Sequence, residues 1–396
     1  MDKVKIGSVA QFCRGVSYKK EQAKKTNADN FIAILRANNI ESNRLNFDDL
    51  VYVPSVLVQE NQYINSGDII ITMSSGSKSH VGKVAIAQRE LGCSFGAFCG
   101  KLVPKCIAPK YLYYILQNDS FRKHIENQCR GTNINNIRKS YILDYEIDLP
   151  SIAEQERIVS CIEELFSQLD ASVNELKTAK ERLKVYRQAV LKEAFSTVSK
   201  KVRIRDISEF VTSGSRGWAK YYADKGARFI RITDLTRDKI QLKNDNIQYV
   251  DLPNLVEGKR SRLNKGDALV SITADLGSIG YIADEIGEAY VNQHIAMIRF
   301  KNPAQGEYMA WYLKSDFGQK DLLKNKRGGG KLGLGLDDIR DTSVPVIDNI
   351  TASNTVNLIN QQLSICDYIE QTIDTCLQQV EALRQSILKK AFEGEI

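Results

Sequence analysis

The sequence predicts an α+β protein built as an internal repeat: two globular domains of mixed, mostly antiparallel strands with few helices, each followed by a long helix. The two helices are expected to form an intramolecular antiparallel coiled coil about a pseudo-twofold axis. Three observations carry this reading. Val185 to Phe195 reads VYRQAVLKEAF and Ala382 to Phe392 reads ALRQSILKKAF, 197 residues later in a chain of 396, so the period is half the length. A heptad of apolar residues runs through both copies of the segment that ends in this motif. Upstream of each heptad lie short alternating apolar runs punctuated by turn residues.

The first domain is placed at residues 1–150. Asp68 to Met73 (DIIITM) and Val84-Ala85-Ile86 read as strands, and Gly67-Asp68 reads as a turn that opens one of them. A helix is expected at about Tyr111 to Asn127. At residues 151–198 the texture changes to a long helix. Pro150 is tolerated just before it, Ser151 can cap it, and Glu154 stands where a capping box requires it. Ile162, Leu169, Leu176, Leu183 and Val190 recur every seven residues, with Leu165, Ala179 and Tyr186 in most of the alternate seam positions.

The second domain is placed at residues 199–350 and answers the first motif by motif. Val4-Lys5-Ile6 matches Val202-Arg203-Ile204, Gly67-Asp68 matches Gly266-Asp267, Tyr111 matches Tyr308, and Arg130-Gly131 matches Arg327-Gly328. Asp267 to Ile272 (DALVSI) and Ile295 to Phe300 (IAMIRF) read as strands, with a helix at about Glu307 to Lys324. The second long helix, at residues 351–396, keeps the heptad phase with Ile359, Cys366, Ile373, Val380 and Ile387, and Asn354 or Asn357 is available to cap it. Both helices open acidic and close basic: Glu154, Glu163 and Asp170 precede Lys180 and Arg187, and Asp367, Glu370 and Asp374 precede Arg384 and Lys389. Antiparallel pairing sets each acidic end beside the partner's basic end, whereas parallel pairing sets like against like. A solvated spacer or a homodimer zipper would also use such helices, but equal phase and length within one chain need an explanation that a dimer zipper does not give.

Composition narrows the function classes. Charged residues make up 26% and apolar ones 43%, as in ordinary globular proteins, and the net charge of +7 is compatible with a polyanionic partner. Eight cysteines include no CxxC pair, and Cys93, Cys99 and Cys106 match no zinc spacing, so reduced thiols and no metal are expected. The opening MDKVKIGSV has no apolar signal core and no run of about 18 apolar residues follows, so the expected location is cytoplasmic, with no membrane partner. No GxxxxGK[ST] loop is present, and His80, His124 and His294 show no triad or ligand spacing. A chain without chemistry of its own, binding no cofactor, is the expectation.

Polar loops offer a surface for DNA. Small hydroxyl and amide side chains mixed with cations suit phosphates and base edges. In the first domain the candidates are Ser77, Lys78 and His80 after a strand, and Arg130, Asn133 and Asn135 after the helix. In the second they are Arg216, Trp218 and Lys220 in a basic and aromatic stretch, with Arg327 and Lys331 in a glycine run. Each loop read singly also fits an ordinary solvated turn.

The order domain, long helix, unlike domain, second helix resembles the specificity subunit of Type I restriction-modification systems. The residues that carry the resemblance are Leu149-Pro150 leading into EQERIV at Glu154 to Val159, TSGSRGWAKYY at Thr212 to Tyr222, and SILKKAFEGEI at Ser386 to Ile396. The resemblance implies two target-recognition domains, each reading one half of a bipartite, asymmetric site in double-stranded DNA, with the paired helices as a ruler for the gap. It further implies docking of two modification subunits that methylate adenine from S-adenosylmethionine, and indirectly of ATP- and Mg-dependent restriction subunits. The second copy departs from the pattern, because Val344-Pro345 is followed by Ile347-Asp348-Asn349 instead of entering the helix directly. A coiled-coil scaffold that spaces two protein-binding domains, without DNA specificity, is the alternative.

Overall fold

A computed structural model describes residues 3–75, 81–129, 136–253, 259–324 and 333–396. The chain forms two compact units, Met1–Leu176 with Thr375–Ile396, and Lys177–Asp374. Each unit therefore contains one globular domain and one end of both long helices, a partition that cuts across the four consecutive blocks read from the sequence.

In the first unit an antiparallel sheet runs in the order Ala10–Arg14, Cys99–Pro104, Ile69–Thr72, Val84–Ile86. A smaller sheet orders Val51–Pro54, Phe31–Leu35 and Ser94–Phe95, the last pair parallel. Lys3–Lys5 pairs with Glu146–Asp148 and ties the two ends of the domain together. The second unit repeats this plan. Ser208–Ser213, Ile295–Phe300, Ala268–Ser271 and Ile279–Tyr281 form the antiparallel sheet, and Lys201–Arg203 pairs with Ser343–Pro345. Its second sheet, of four strands, again contains one parallel pair, Ala227–Ile230 with Ala289–Val291.

The matched Gly-Asp turns have a physical reason. Gly67 and Gly266 take left-handed φ values of 84° and 94°, which glycine adopts without strain. The carboxylates that follow are buried and paired, Asp68 with Lys101 at 2.8 Å and Asp267 with Arg299 at 2.7 Å. Each also accepts a backbone N–H from the turn, from Asn65 at 2.8 Å and Asn264 at 2.7 Å, so the desolvated charge is satisfied.

The single helix expected near the end of each domain is two helices. Pro109–Gln117 is followed by Asp119–Cys129, and Gly306–Lys314 by Asp316–Leu322. The breaks fall at Asn118 and Ser315. The Asn118 carboxamide oxygen accepts the Ser120 N–H at 2.9 Å, and the Ser315 hydroxyl accepts the Gly318 N–H at 3.3 Å. Short polar side chains that satisfy the backbone locally end one helix and start the next.

The long helices are Ile152–Phe195 and Asn349–Glu393. Ser151 accepts the Glu154 N–H at 3.3 Å at the first start. The second helix opens earlier than the asparagines expected to cap it, because Asp348 accepts the Thr351 N–H at 2.9 Å. Within each unit the partners run antiparallel. In the second, Lys180 meets Asp374 at 2.6 Å and Arg187 meets Glu370 at 3.0 Å, so numbers rise on one helix as they fall on the other. In the first, Arg384 pairs with Asp170. Acidic openings thus lie beside basic closings.

The heptad stripe divides its work. At the ends it enters the domain cores: Ile162 packs with Tyr111, Leu112 and Leu388 in the first unit, and Val190 with Ile359 and Tyr308 in the second. Cys366 and Ile373 are buried, whereas Leu169, Leu176, Leu183, Val380 and Ile387 are half-buried, and Tyr186, Ile369 and Leu383 stay exposed. Two helices can cover only part of so wide a stripe.

Candidate nucleic-acid interface

The repeated closing motif is a seat for the domains. The Phe195 ring stands edge-on to Tyr308 at 5.3 Å and to Tyr312 at 5.4 Å, and Phe392 stands edge-on to Tyr111 at 5.4 Å. Aromatic edge contacts of this kind add to the gain from burial. The motif at the close of the first half therefore seats the second domain, and the motif at the close of the second half seats the first.

On the second domain the sequence TSGSRGW bends over a polar cavity of about 780 Å³. Gly214 is required there, since a Cβ would fall 1.8 Å from the Val291 carbonyl oxygen, and Gly15 meets Gly96 in the same way in the first domain. Gly217 then takes φ 77° and starts the short turn Trp218–Tyr221. Arg216, Lys220 and Arg260 lie exposed around the cavity, and Thr273, Gln293 and Leu334 line it. Among the described residues none of these three cations is ion-paired. Lys220 lies over the Tyr221 ring at 4.9 Å, which holds the ammonium at the rim.

Trp218 plays a different part from its neighbours. It is 4% exposed, stacks on Phe229 at 5.6 Å and meets Tyr290 edge-on at 5.3 Å, so its ring is built into the domain core while forming part of the cavity wall. Ser77, Lys78, His80, Arg130, Asn133, Asn135, Arg327 and Lys331 lie outside the described residues; nearby, Ser74 bridges to Asn136 and Thr273 to Gly333.

One position escaped the sequence reading. The turn after the parallel strand carries Gln293-His294 in the second domain, and Ile272 donates its N–H to the His294 carbonyl at 2.9 Å. The same bond in the first domain runs from Met73 to the carbonyl of Phe98 at 2.9 Å, so Phe98 and His294 are structural equivalents. Phe98 is 67% exposed. His294 is half-buried and held on both ring nitrogens, 2.6 Å from the Thr273 hydroxyl and 3.0 Å from the Gln293 amide. Donation by that amide leaves Nδ1 as the protonated nitrogen, donating to Thr273. An apolar ring in one domain and a hydrogen-bonded imidazole in the other occupy one place on one scaffold.

Among the described residues no group of three His, Cys, Asp or Glu side chains could hold a metal, and no helix is long and apolar enough to cross a membrane. Comparison with known proteins adds the family. The Type I restriction modification DNA specificity domain matches twice, over residues 1–182 and 198–382. The chain is 31% identical to the Type I restriction enzyme StySPI specificity subunit of Salmonella potsdam, covering 99% of this chain and 88% of that one. It is likewise 31% identical to the EcoKI specificity subunit of Escherichia coli K12, with the same coverage. Among solved structures, a chain from a study of complex assembly and conformational transition of the type I R-M system superposes with TM-score 0.75 at 16% identity, covering 100% of this chain and 98% of that one. The HsdS subunit from Thermoanaerobacter tengcongensis superposes with TM-score 0.57 at 16% identity, covering 100% and 97%. With two matching domains that span most of its length, the chain belongs to the specificity subunits of Type I restriction-modification systems.

Proposed function

We propose that each domain reads one half of a bipartite, asymmetric DNA site and that the paired helices fix the gap between the halves. The observation that carries this is the unlike pair Phe98 and His294 at one equivalent position, beside cations in the second domain. Two readers on one scaffold with different chemistry predict two different half-sites. Arg216, Lys220 and Arg260 would contact phosphates, and Gln293, His294 and Thr273 would face base edges. The polar residues Ser77, Lys78, His80, Arg130, Asn133, Asn135, Arg327 and Lys331 belong to the same proposed surface. Trp218 supports it from beneath.

The chain carries no catalytic centre in this reading. The helix faces opposite the heptad seam dock two modification subunits, and restriction subunits join through them. S-adenosylmethionine, ATP and Mg are bound by those partners in the cytoplasm, and none by this chain. Co-expression with the methyltransferase encoded beside it, followed by genome-wide sequencing of methylated adenines, tests the proposal. A single motif with two unlike halves and a constant gap is expected, each half lost when its domain is deleted. Methylation that does not depend on this chain would overturn it.

A further inference from the structure

Asp170 and Asp367 stand 197 residues apart in the sequence, and each is the centre of a three-way charge cluster that has the same parts in both units. In the first unit Asp170 on the first long helix pairs with Arg384 of the second helix and, at 3.2 Å, with Arg44 of the domain. In the second unit Asp367 on the second helix pairs at 2.6 Å with Arg187 of the first helix and at 2.6 Å with Lys239 of the domain. Arg187 also donates to Glu370 at 3.0 Å. Arg187 and Arg384 are the arginines of the repeated VYRQ and ALRQ segments.

The domain arm of each cluster is tied back to the domain by matched but chemically different means. In the first unit Arg44 follows the turn at Asn43, whose carbonyl accepts from the Tyr113 hydroxyl at 2.6 Å and whose amide donates to Gln117 at 2.9 Å. In the second, the turn from Thr236 to Lys239 is held by Lys314, which donates to the carbonyls of Thr236 at 2.6 Å and Lys239 at 2.9 Å. Gln117 and Lys314 are the last residues of equivalent domain helices. Two turns with unrelated sequences thus converge on one linkage: domain helix, turn, cation, helix aspartate, arginine of the other helix.

Exposure argues about purpose. The Arg44 and Lys239 side chains are 78% and 43% exposed, and ion pairs so open to water contribute little to stability. What they do restrict is direction, because a cation fixed at its own base and paired at its tip stops the domain from rocking on its aromatic seat. We infer that Arg44–Asp170–Arg384 and Lys239–Asp367–Arg187 are positioning clusters that hold each recognition domain at one angle on the helices, and so set the gap between half-sites. The inference rests on the half-site reading above. Adjacent base pairs are only about 3.4 Å apart along the duplex, so a small rotation at the seat moves the reading edge by one step.

The test uses the full chain co-expressed with its modification subunits, reading gap lengths from genome-wide adenine methylation. The wild type should methylate one gap. The double variant Arg44→Ala and Lys239→Ala should keep both half-site sequences and methylate sites one base pair longer or shorter at least tenfold above the wild-type level, while its melting temperature stays unchanged. Lys239→Arg should restore a single gap in the second unit. An unchanged single gap in the double variant would overturn the inference, as would loss of a half-site sequence, which would make the residues DNA contacts instead. Absence of any bipartite motif in the wild type would defeat the half-site reading itself, and so is distinguishable.

Discussion

Phe392 stands edge-on to Tyr111 across 5.4 Å, and the two belong to opposite halves of the chain. Phe195 repeats the contact on Tyr308. The first prediction follows from their burial. Phe195 is buried, so Phe195→Ala should cost about 3 to 5 kcal/mol. Phe392 is only half-buried, so its truncation should cost less. Both tryptophans, Trp218 and Trp311, lie in the second unit, so tryptophan fluorescence in urea reports the Phe195 variant. Hydrogen exchange should show the Phe392 variant loosening only the first unit.

The second prediction concerns pH. Lys314 is 7% exposed, and burial pushes its ammonium down to about 8, with Asp238 and Asp275 raising it and Arg237 lowering it further. Below that pH the lysine is charged in both folded and unfolded chains, and the desolvation cost is present in full. Between about 8 and the unfolded value of about 10.4, the folded chain has lost a proton that the unfolded chain still holds, so stability rises with pH. The gain across the window is on the order of 3 kcal/mol. Lys314→Gln, which installs the residue type found at Gln117, should remove this rise. Urea unfolding of both proteins at about pH 7.5, 9 and 10 checks the difference.

What could be read in advance was whatever repeated or had a period. The heptad from Ile162 to Val190 and the closing motif announced the helices, and the charge order announced their antiparallel sense. Single polar residues were less legible. Asn118 and Ser315 break the domain helices, and Asp348 caps the second long helix, because a side chain happens to reach a nearby N–H, which composition does not reveal. Trp218 read as a DNA-contact candidate in a basic and aromatic stretch, yet it is covered by Phe229 and Tyr290, which come from two other strands. The equivalence of Phe98 and His294 was hidden by insertions that shift the offset between the halves, and only the shared backbone bond exposes it.

The cations of the second domain give the third prediction. Each lysine or arginine that neutralises a phosphate steepens the salt dependence of binding by about 0.9 in the logarithmic slope. Arg216→Ala, Lys220→Ala and Arg260→Ala, each in the complex with modification subunits, should flatten the slope by about that amount and leave the methylated motif unchanged. Fluorescence anisotropy with a duplex carrying the motif, measured across salt concentrations, decides. An unchanged slope would remove that residue from the interface.

The fourth prediction turns on Phe98. If the proposed surface meets DNA, an exposed phenyl ring there would gain most against a thymine methyl, whereas an imidazole held by Thr273 and Gln293 would present hydrogen-bonding neighbours to a base edge. The backbone bond from Met73 to the Phe98 carbonyl does not involve the side chain, so Phe98→Ala and Phe98→His should leave the turn intact. Either variant should relax or change the preference at one base pair of the first half-site, by about 1 to 3 kcal/mol, without touching the second half-site or the gap. Ranking methylated motifs by frequency in cells expressing each variant measures this. If discrimination falls evenly at all positions of the half-site, the ring supports the loop and does not read a base, and the contrast between Phe98 and His294 no longer explains why the two half-sites differ.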